Sequence, residues 1–210
     1  MKIRLTAFLI GISFFLGCAP ILPRPMLTAR QGLLDRMLFR SQSKSASKKE
    51  PSKKILIKPG FFQWPLEKMY ITSGFGRRGE RFHYGIDLRA AEGTPVYPIQ
   101  SGIVIYADSI LKGYGKMIVI RHNARFSSVY AHNSKLYVQY RDCIDIKKDK
   151  NKTVIIKNKK QKIEKIAETG KTGYATGPHL HFEIRDGLEA VDPLVYYTKK
   201  QKTLLQKKAK

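Results

Sequence analysis

The clearest alternation of apolar and polar positions runs through His179-Leu180-His181-Phe182-Glu183-Ile184-Arg185. With the period of two of a strand, Leu180, Phe182 and Ile184 share one face, and His179, His181 and Glu183 share the other. The pattern predicts a strand that sets one face on a core and aligns two imidazoles and a carboxylate on the opposite face. Gly177-Pro178 marks a turn just before it, and the Gly/Thr-rich approach from Gly170 predicts a loop passing close to the polar face. Upstream, Met69–Thr72, Val96–Ile99, Gly102–Ala107, Met117–His122 and Ser127–His132 are β-branched or aromatic runs broken at short intervals by glycine or polar residues. No helical period competes with them. The expected fold is all-β and mainly antiparallel, a single sandwich- or barrel-type domain over residues 55–197.

The flanks read differently. Lys2 and Arg4 precede an apolar run from Leu5 to Leu16, too short to cross a bilayer and shaped like an export signal. It ends in Phe15-Leu16-Gly17-Cys18, which resembles a bacterial lipoprotein cleavage box, although Phe15 stands where Leu is usual. Residues 1–18 are therefore expected to be a lipoprotein-type signal peptide, with an ordinary cleaved signal as the alternative. Cys18 would become the lipidated first residue of an exported, membrane-anchored envelope protein. That protein would face the periplasm and sit on the outer membrane where the cell has one. Only Cys18 and Cys143 occur, so lipidation or cleavage leaves Cys143 unpaired. Residues 19–54 form a basic linker with Pro20, Pro23, Pro25 and a Ser/Lys-rich run. Within it, Leu33, Leu34, Met37 and Leu38 recur at helical spacing beside Arg30, Arg36 and Arg40, a pattern that suits a short basic helix on a lipid surface and equally a helix without a role or one packed on the domain. Residues 198–210 are a second basic tail.

Charge narrows the partners. The chain of 210 residues carries 40 Lys and Arg against 16 Asp and Glu, a net +24. Its partner is expected to be anionic: a membrane surface, an acidic polymer such as the cell wall, or nucleic acid. The export signal and the lack of a nucleic-acid-binding motif set nucleic acid aside.

The candidate chemistry joins two stretches. Phe82-His83-Tyr84-Gly85-Ile86-Asp87-Leu88 supplies a second histidine with an aspartate four residues on. Zn2+ in catalytic sites takes three protein ligands and a water, and His83, Asp87 and one histidine of the His179/His181 pair would make such a set. These His-x-x-x-Asp and His-x-His motifs resemble those of the lysostaphin/LytM-like zinc metallopeptidases, which cut peptide bonds in bacterial peptidoglycan. The likeness extends from about Trp64 to Pro193 and implies a lysostaphin-like domain. By this resemblance His83, Asp87 and His181 hold zinc, while His179 and His132, in Val129-Tyr130-Ala131-His132, are the catalytic histidines. Which of the two is the general base is left open. His122, at the end of the preceding strand, reads as a hydrogen-bonded structural residue.

The resemblance breaks in one region. Residues 140–165 are longer and more basic than the family's usual passage, lack its turn glycines before Ile166, and contain a possible strand at Val154-Ile155-Ile156. This insertion reads as a surface hairpin or as a wall- or lipid-contacting arm beside the cleft. The implied function is a zinc-dependent endopeptidase acting on peptidoglycan stem peptides or cross-bridges through a metal-activated water. The alternative is a non-enzymatic activator of other cell-wall hydrolases, acting on those or on division proteins, because some relatives have lost their ligands. Here all five matching residues are present.

Overall fold

The computed structural model describes residues 62–68, 70–147 and 153–198. The expected signal peptide, the linker with its amphipathic segment, and nearly all of the basic tail lie outside the described residues. No described helix is long and apolar enough to cross a membrane.

Strands dominate, as the alternation requires. In chain order they are β1 (Ile71–Ser73), β2 (Gly76–Arg78), β3 (Arg81–His83), β4 (Ile86–Arg89), β5 (Pro95–Val96), β6 (Gly102–Asp108) and β7 (Lys116–Arg121). Then come β8 (Phe126–Leu136), β9 (Cys143–Ile146), β10 (Val154–Ile156), β11 (Gln161–Ile163), β12 (Ala167–Thr169), β13 (His179–Asp186) and β14 (Glu189–Val191). The main sheet runs β1-β4-β13-β8-β7-β6-β9-β10-β11, with β12 bridging β5 and β8, β14 beside β13, and β2-β3 a separate hairpin. Every pairing is antiparallel. The expected all-β fold is what the chain adopts.

The strand at the centre of the alternation, β13, lies between β4 and β8, and its register sets His181 beside Asp87 on one side and Ala131 on the other. Leu180, Phe182 and Ile184 are fully buried in the larger core with Ile86, Leu88, Ile118, Ile120 and Tyr130. The opposite face is not open to solvent: His181, Glu183 and Arg185 are also buried. A second, smaller cluster of Tyr106, Leu111, Tyr114, Met117, Val119, Val129 and Ala131 covers that side of the sheet. Polar groups so enclosed must satisfy one another, which makes this face a candidate for chemistry.

Two local expectations change. Of Val96–Ile99 only Val96 is in a strand. Pro98 lacks the N–H a ladder needs, and the segment is held instead by Tyr97 N–H donating to the Pro65 carbonyl and Gln63 N–H to that of Ile99. The expectation of an unpaired Cys143 is not met either: it is buried and disulfide-bonded, with its partner outside the described residues.

The basic insertion does contain the Val154–Ile156 strand, as β10. It is not a detached arm. β9, β10 and β11 continue the sheet from β6, with Val154 and Ile156 packed in the main core. Strand order puts them at the edge opposite β4 and β13, not beside β13's polar face. Between β10 and β11, Lys160 takes the left-handed conformation (φ 52°) and closes the turn with its N–H on the Lys157 carbonyl.

Candidate metal centre

His83 ends β3, Asp87 lies in β4 and His181 in the neighbouring β13. Gly85, in the short link between the first two, passes over β13 so closely that a Cβ would collide with the Phe182 carbonyl. Only glycine fits there. The three side chains meet at single atoms: His83 Nε2 is 3.0 Å from Asp87 Oδ1 and 3.1 Å from His181 Nδ1, and the last two are 3.0 Å apart. Ligands about 2.0–2.1 Å from a tetrahedral zinc stand roughly 3.3 Å from each other, so the triangle has the size the ion requires.

The outer hydrogen bonds fix which atoms face inward. His83 Nδ1 is 2.6 Å from the Gly74 carbonyl, which can only accept, so the proton sits on Nδ1 and a lone pair on Nε2. The Arg78 guanidinium also lies 2.5 Å from that Nδ1 and cannot share it as a second donor; its charge is met 3.0 Å away on Asp87 Oδ2. His181 donates from Nε2 to Glu183 Oε1 at 2.9 Å, which turns its Nδ1 lone pair to the centre. Two nitrogen lone pairs and a carboxylate oxygen at mutual distances near 3 Å repel unless a cation lies among them. The donor set therefore fits zinc, and the carbonyl and carboxylate behind the histidines are the usual second support of such ligands.

The electrostatics agree. With a proton in place of an ion at the centre, His181 Nδ1 donates to Asp87: burial opposes charge on His181, yet the hydrogen bonds to Asp87 and Glu183 outweigh it and raise its pKa to about 9. Burial likewise opposes the Asp87 carboxylate, but the hydrogen bonds from His181 and His83, aided by Arg78, hold its pKa far below the usual range. Both shifts describe a pocket that keeps an anion and favours positive charge at its centre. Glu183, fully buried, stays ionised against the cost of burial because Arg185 and His181 face it. Arg185 Nε lies 2.6 Å from its Oε2, and the Tyr114 hydroxyl donates to Oε1 at 2.9 Å.

His132 and His179 border the same space. Their rings are 4.8 Å apart, and the His132 ring is 5.8 Å from that of His181. His179 Nε2 is 3.8 Å from Asp87 Oδ1. His132 reaches the site through an irregularity. The β7–β8 register shifts beside it, and His132 itself has φ 63°, a left-handed conformation rare for a side-chain-bearing residue. Its N–H donates to the Tyr114 carbonyl, so the kink is stapled to the loop over the second core. Its Nδ1 donates to the Thr172 carbonyl at 2.8 Å and that of His179 to the Gly177 carbonyl at 2.8 Å, leaving the Nε2 atom of each as an acceptor. The Gly/Thr-rich loop thus passes over the polar face as its composition predicts. Burial, with the nearby His181, pushes the pKa of His132 down to about 4 despite the Thr172 bond, so it is neutral near pH 7.

His122 stands outside this group. Its Nδ1 is 3.0 Å from the Ser101 carbonyl and its Nε2 2.8 Å from Ser128 Oγ. The structure adds residues that sequence reasoning left without a role: Glu183, Tyr114, Arg185 and Arg78. Of these Glu183 and Arg185 had a signal, since both share the strand face of His181.

Residues 81–193 match the peptidase family M23. The chain is similar to the murein hydrolase activator NlpD of Escherichia coli K12, 35% identical over 136 residues that make up 64% of this chain and 31% of that protein. It is also similar to the lipoprotein NlpD/LppB homolog of Pseudomonas aeruginosa, 34% identical over 137 residues, 65% of this chain and 40% of the relative. The chain thus spans well under half the length of these curated relatives. Among solved structures, the catalytic domain of lysostaphin from Staphylococcus simulans is 28% identical, covering 61% of this chain and 91% of that one with a TM-score of 0.49.

Proposed function

Because this chain belongs to peptidase family M23, we propose that it is a zinc-dependent endopeptidase that hydrolyses peptide bonds of bacterial cell-wall peptidoglycan. The observation that carries this reading is the inward convergence of three lone-pair atoms, from His83, Asp87 and His181, with two further acceptor nitrogens at their border. Zinc bound by those three residues would supply Lewis acidity and lower the pKa of a water from 15.7 to about 7.

The chain's own residues then have distinct tasks. His179 and His132 each present an unprotonated Nε2, so either can take a proton from an attacking water and return it to the leaving amine. Two features favour His179 as the acceptor. The Asp87 carboxylate 3.8 Å away stabilises a developing imidazolium, whereas burial disfavours a charge on His132. His132, neutral and clamped by Thr172, is better suited to orient the water or to accept a hydrogen bond from it. Glu183 keeps the His181 ring turned so that Nδ1 faces the centre.

A second reading has a specific support: the Escherichia coli relative is named an activator of murein hydrolases. In that reading the domain would be a docking surface for another hydrolase or a division protein, and the site would serve stability alone. An intact ligand set favours the enzyme. We further propose that the protein is a lipoprotein of the cell envelope, anchored through Cys18, in keeping with the lipoprotein named among its relatives. Elemental analysis of the purified chain tests the metal: about one zinc per chain is expected, lost in His181→Ala and Asp87→Ala and kept in His122→Ala. A folded wild type that takes up no zinc would overturn the reading.

A further inference from the structure

The two oxygens of Asp87 have different partners. Oδ1 completes the triangle with His83 and His181, while Oδ2 is bonded by Arg78 Nη2 at 3.0 Å. Arg78 closes the β2 strand of the separate hairpin, across from Arg81, and His83 ends its partner strand. Phe82 packs on Phe75 and Tyr84, each at 5.1 Å between ring centroids, which fixes the hairpin that carries both Arg78 and a ligand. As an ion pair the contact does little for stability, since the Arg78 side chain is 44% exposed and such pairs contribute on the order of 0–1 kcal/mol.

Its place matters more than its energy. A carboxylate next to a divalent ion can bind through one oxygen or both. A guanidinium donating to the outer oxygen withholds that oxygen from the ion. An Asp that swung to two-oxygen binding would occupy a coordination position that water or a substrate carbonyl needs.

We propose that Arg78 is a positioning residue that keeps Asp87 a one-oxygen ligand and so leaves the site open for chemistry. This inference rests on the metal-site reading above. It makes no demand on the folded stability of the protein, and it requires a charged donor that reaches Asp87 Oδ2 from this position. Arg78→Ala removes the donor, and Arg78→Lys returns the charge without the planar fork.

The test replaces zinc by cobalt(II) in the full chain and in both variants, and reads the visible absorption alongside turnover on peptidoglycan. Wild type should show the intense bands of a four-coordinate ion. Arg78→Ala should bind cobalt with weakened bands as the coordination number rises, and turnover should fall about 10–100-fold, the usual cost of losing a partner behind a metal ligand. Arg78→Lys should lie between the two, and thermal stability should be unchanged in all three. Identical spectra in wild type and Arg78→Ala would overturn the proposal. If turnover fell with them, Arg78 would be acting on the substrate instead. A wild type that binds no cobalt would strike the metal reading itself, a result distinct from either of these.

Discussion

His181 donates from Nε2 to a carboxylate oxygen of Glu183 two residues along the same strand, at 2.9 Å, and both residues are buried. This bond selects the tautomer with a lone pair on Nδ1, the atom that meets His83 and Asp87. It also stands in a chain of charge, since Glu183 in turn neutralises the buried Arg185.

Replacing Glu183 by Gln should therefore act twice. Zinc affinity, measured by competition with a chelator, should weaken about 10–100-fold because a neutral amide holds the ring less firmly than the carboxylate does. Stability should fall by about 3–5 kcal/mol, read in denaturant unfolding, because Arg185 is left without its counter-charge. Unchanged zinc affinity in a folded Glu183→Gln protein would separate Glu183 from the metal site.

A second expectation concerns acid. Burial pushes the pKa of both His122 and His132 from 6.5 down to about 4. Each is neutral when folded and gains a proton more readily when unfolded. Their contribution to stability is thus fully present above pH 6.5 and is lost as pH falls toward 4. For His122 the loss amounts to roughly 3 kcal/mol at most. Urea unfolding between pH 7 and 4 checks this, and His122→Ala should flatten part of the slope while leaving zinc content unchanged.

Much of this was legible in the chain. The alternation in His179–Arg185 gave both the strand and the pair of residues that face the metal centre, because a period of two survives whatever the strand packs against. His83 and Asp87 could be joined to it through their spacing and a resemblance. Three things could not be read. Burial of the polar face depends on a second apolar cluster contributed by β6, β7, β8 and the loop with Tyr114, all distant in sequence. The kink that aims His132 is a register shift, which leaves no mark in composition. The insertion's lysines suggested an arm near the cleft, yet Val154 and Ile156 bind it into the core at the far edge of the sheet.

Anchoring separates two fates of one sulfur. The disulfide at Cys143 and lipidation of Cys18 cannot coexist in one molecule, so the structure describes a chain that is not acylated at Cys18, and lipidation would leave Cys143 a buried thiol. We expect mass spectrometry of the mature protein to find an acylated Cys18, and Cys18→Ser to release the protein from membranes. An unmodified N-terminus beyond Cys18, or an intact Cys18–Cys143 linkage in the unreduced protein, would rule lipidation out.

Release of peptides from purified peptidoglycan decides whether the site where His83, Asp87 and His181 meet is catalytic. The zinc-loaded chain should release wall peptides, and a chelator should stop the release until zinc is returned. His179→Ala and His132→Ala should keep their zinc and lose about 10²–10⁴-fold in rate, the usual share of a positioned acid–base group. No release from any wall preparation by the zinc-loaded wild type, with its effect on cells surviving in both variants, would exclude catalysis and make the protein an activator.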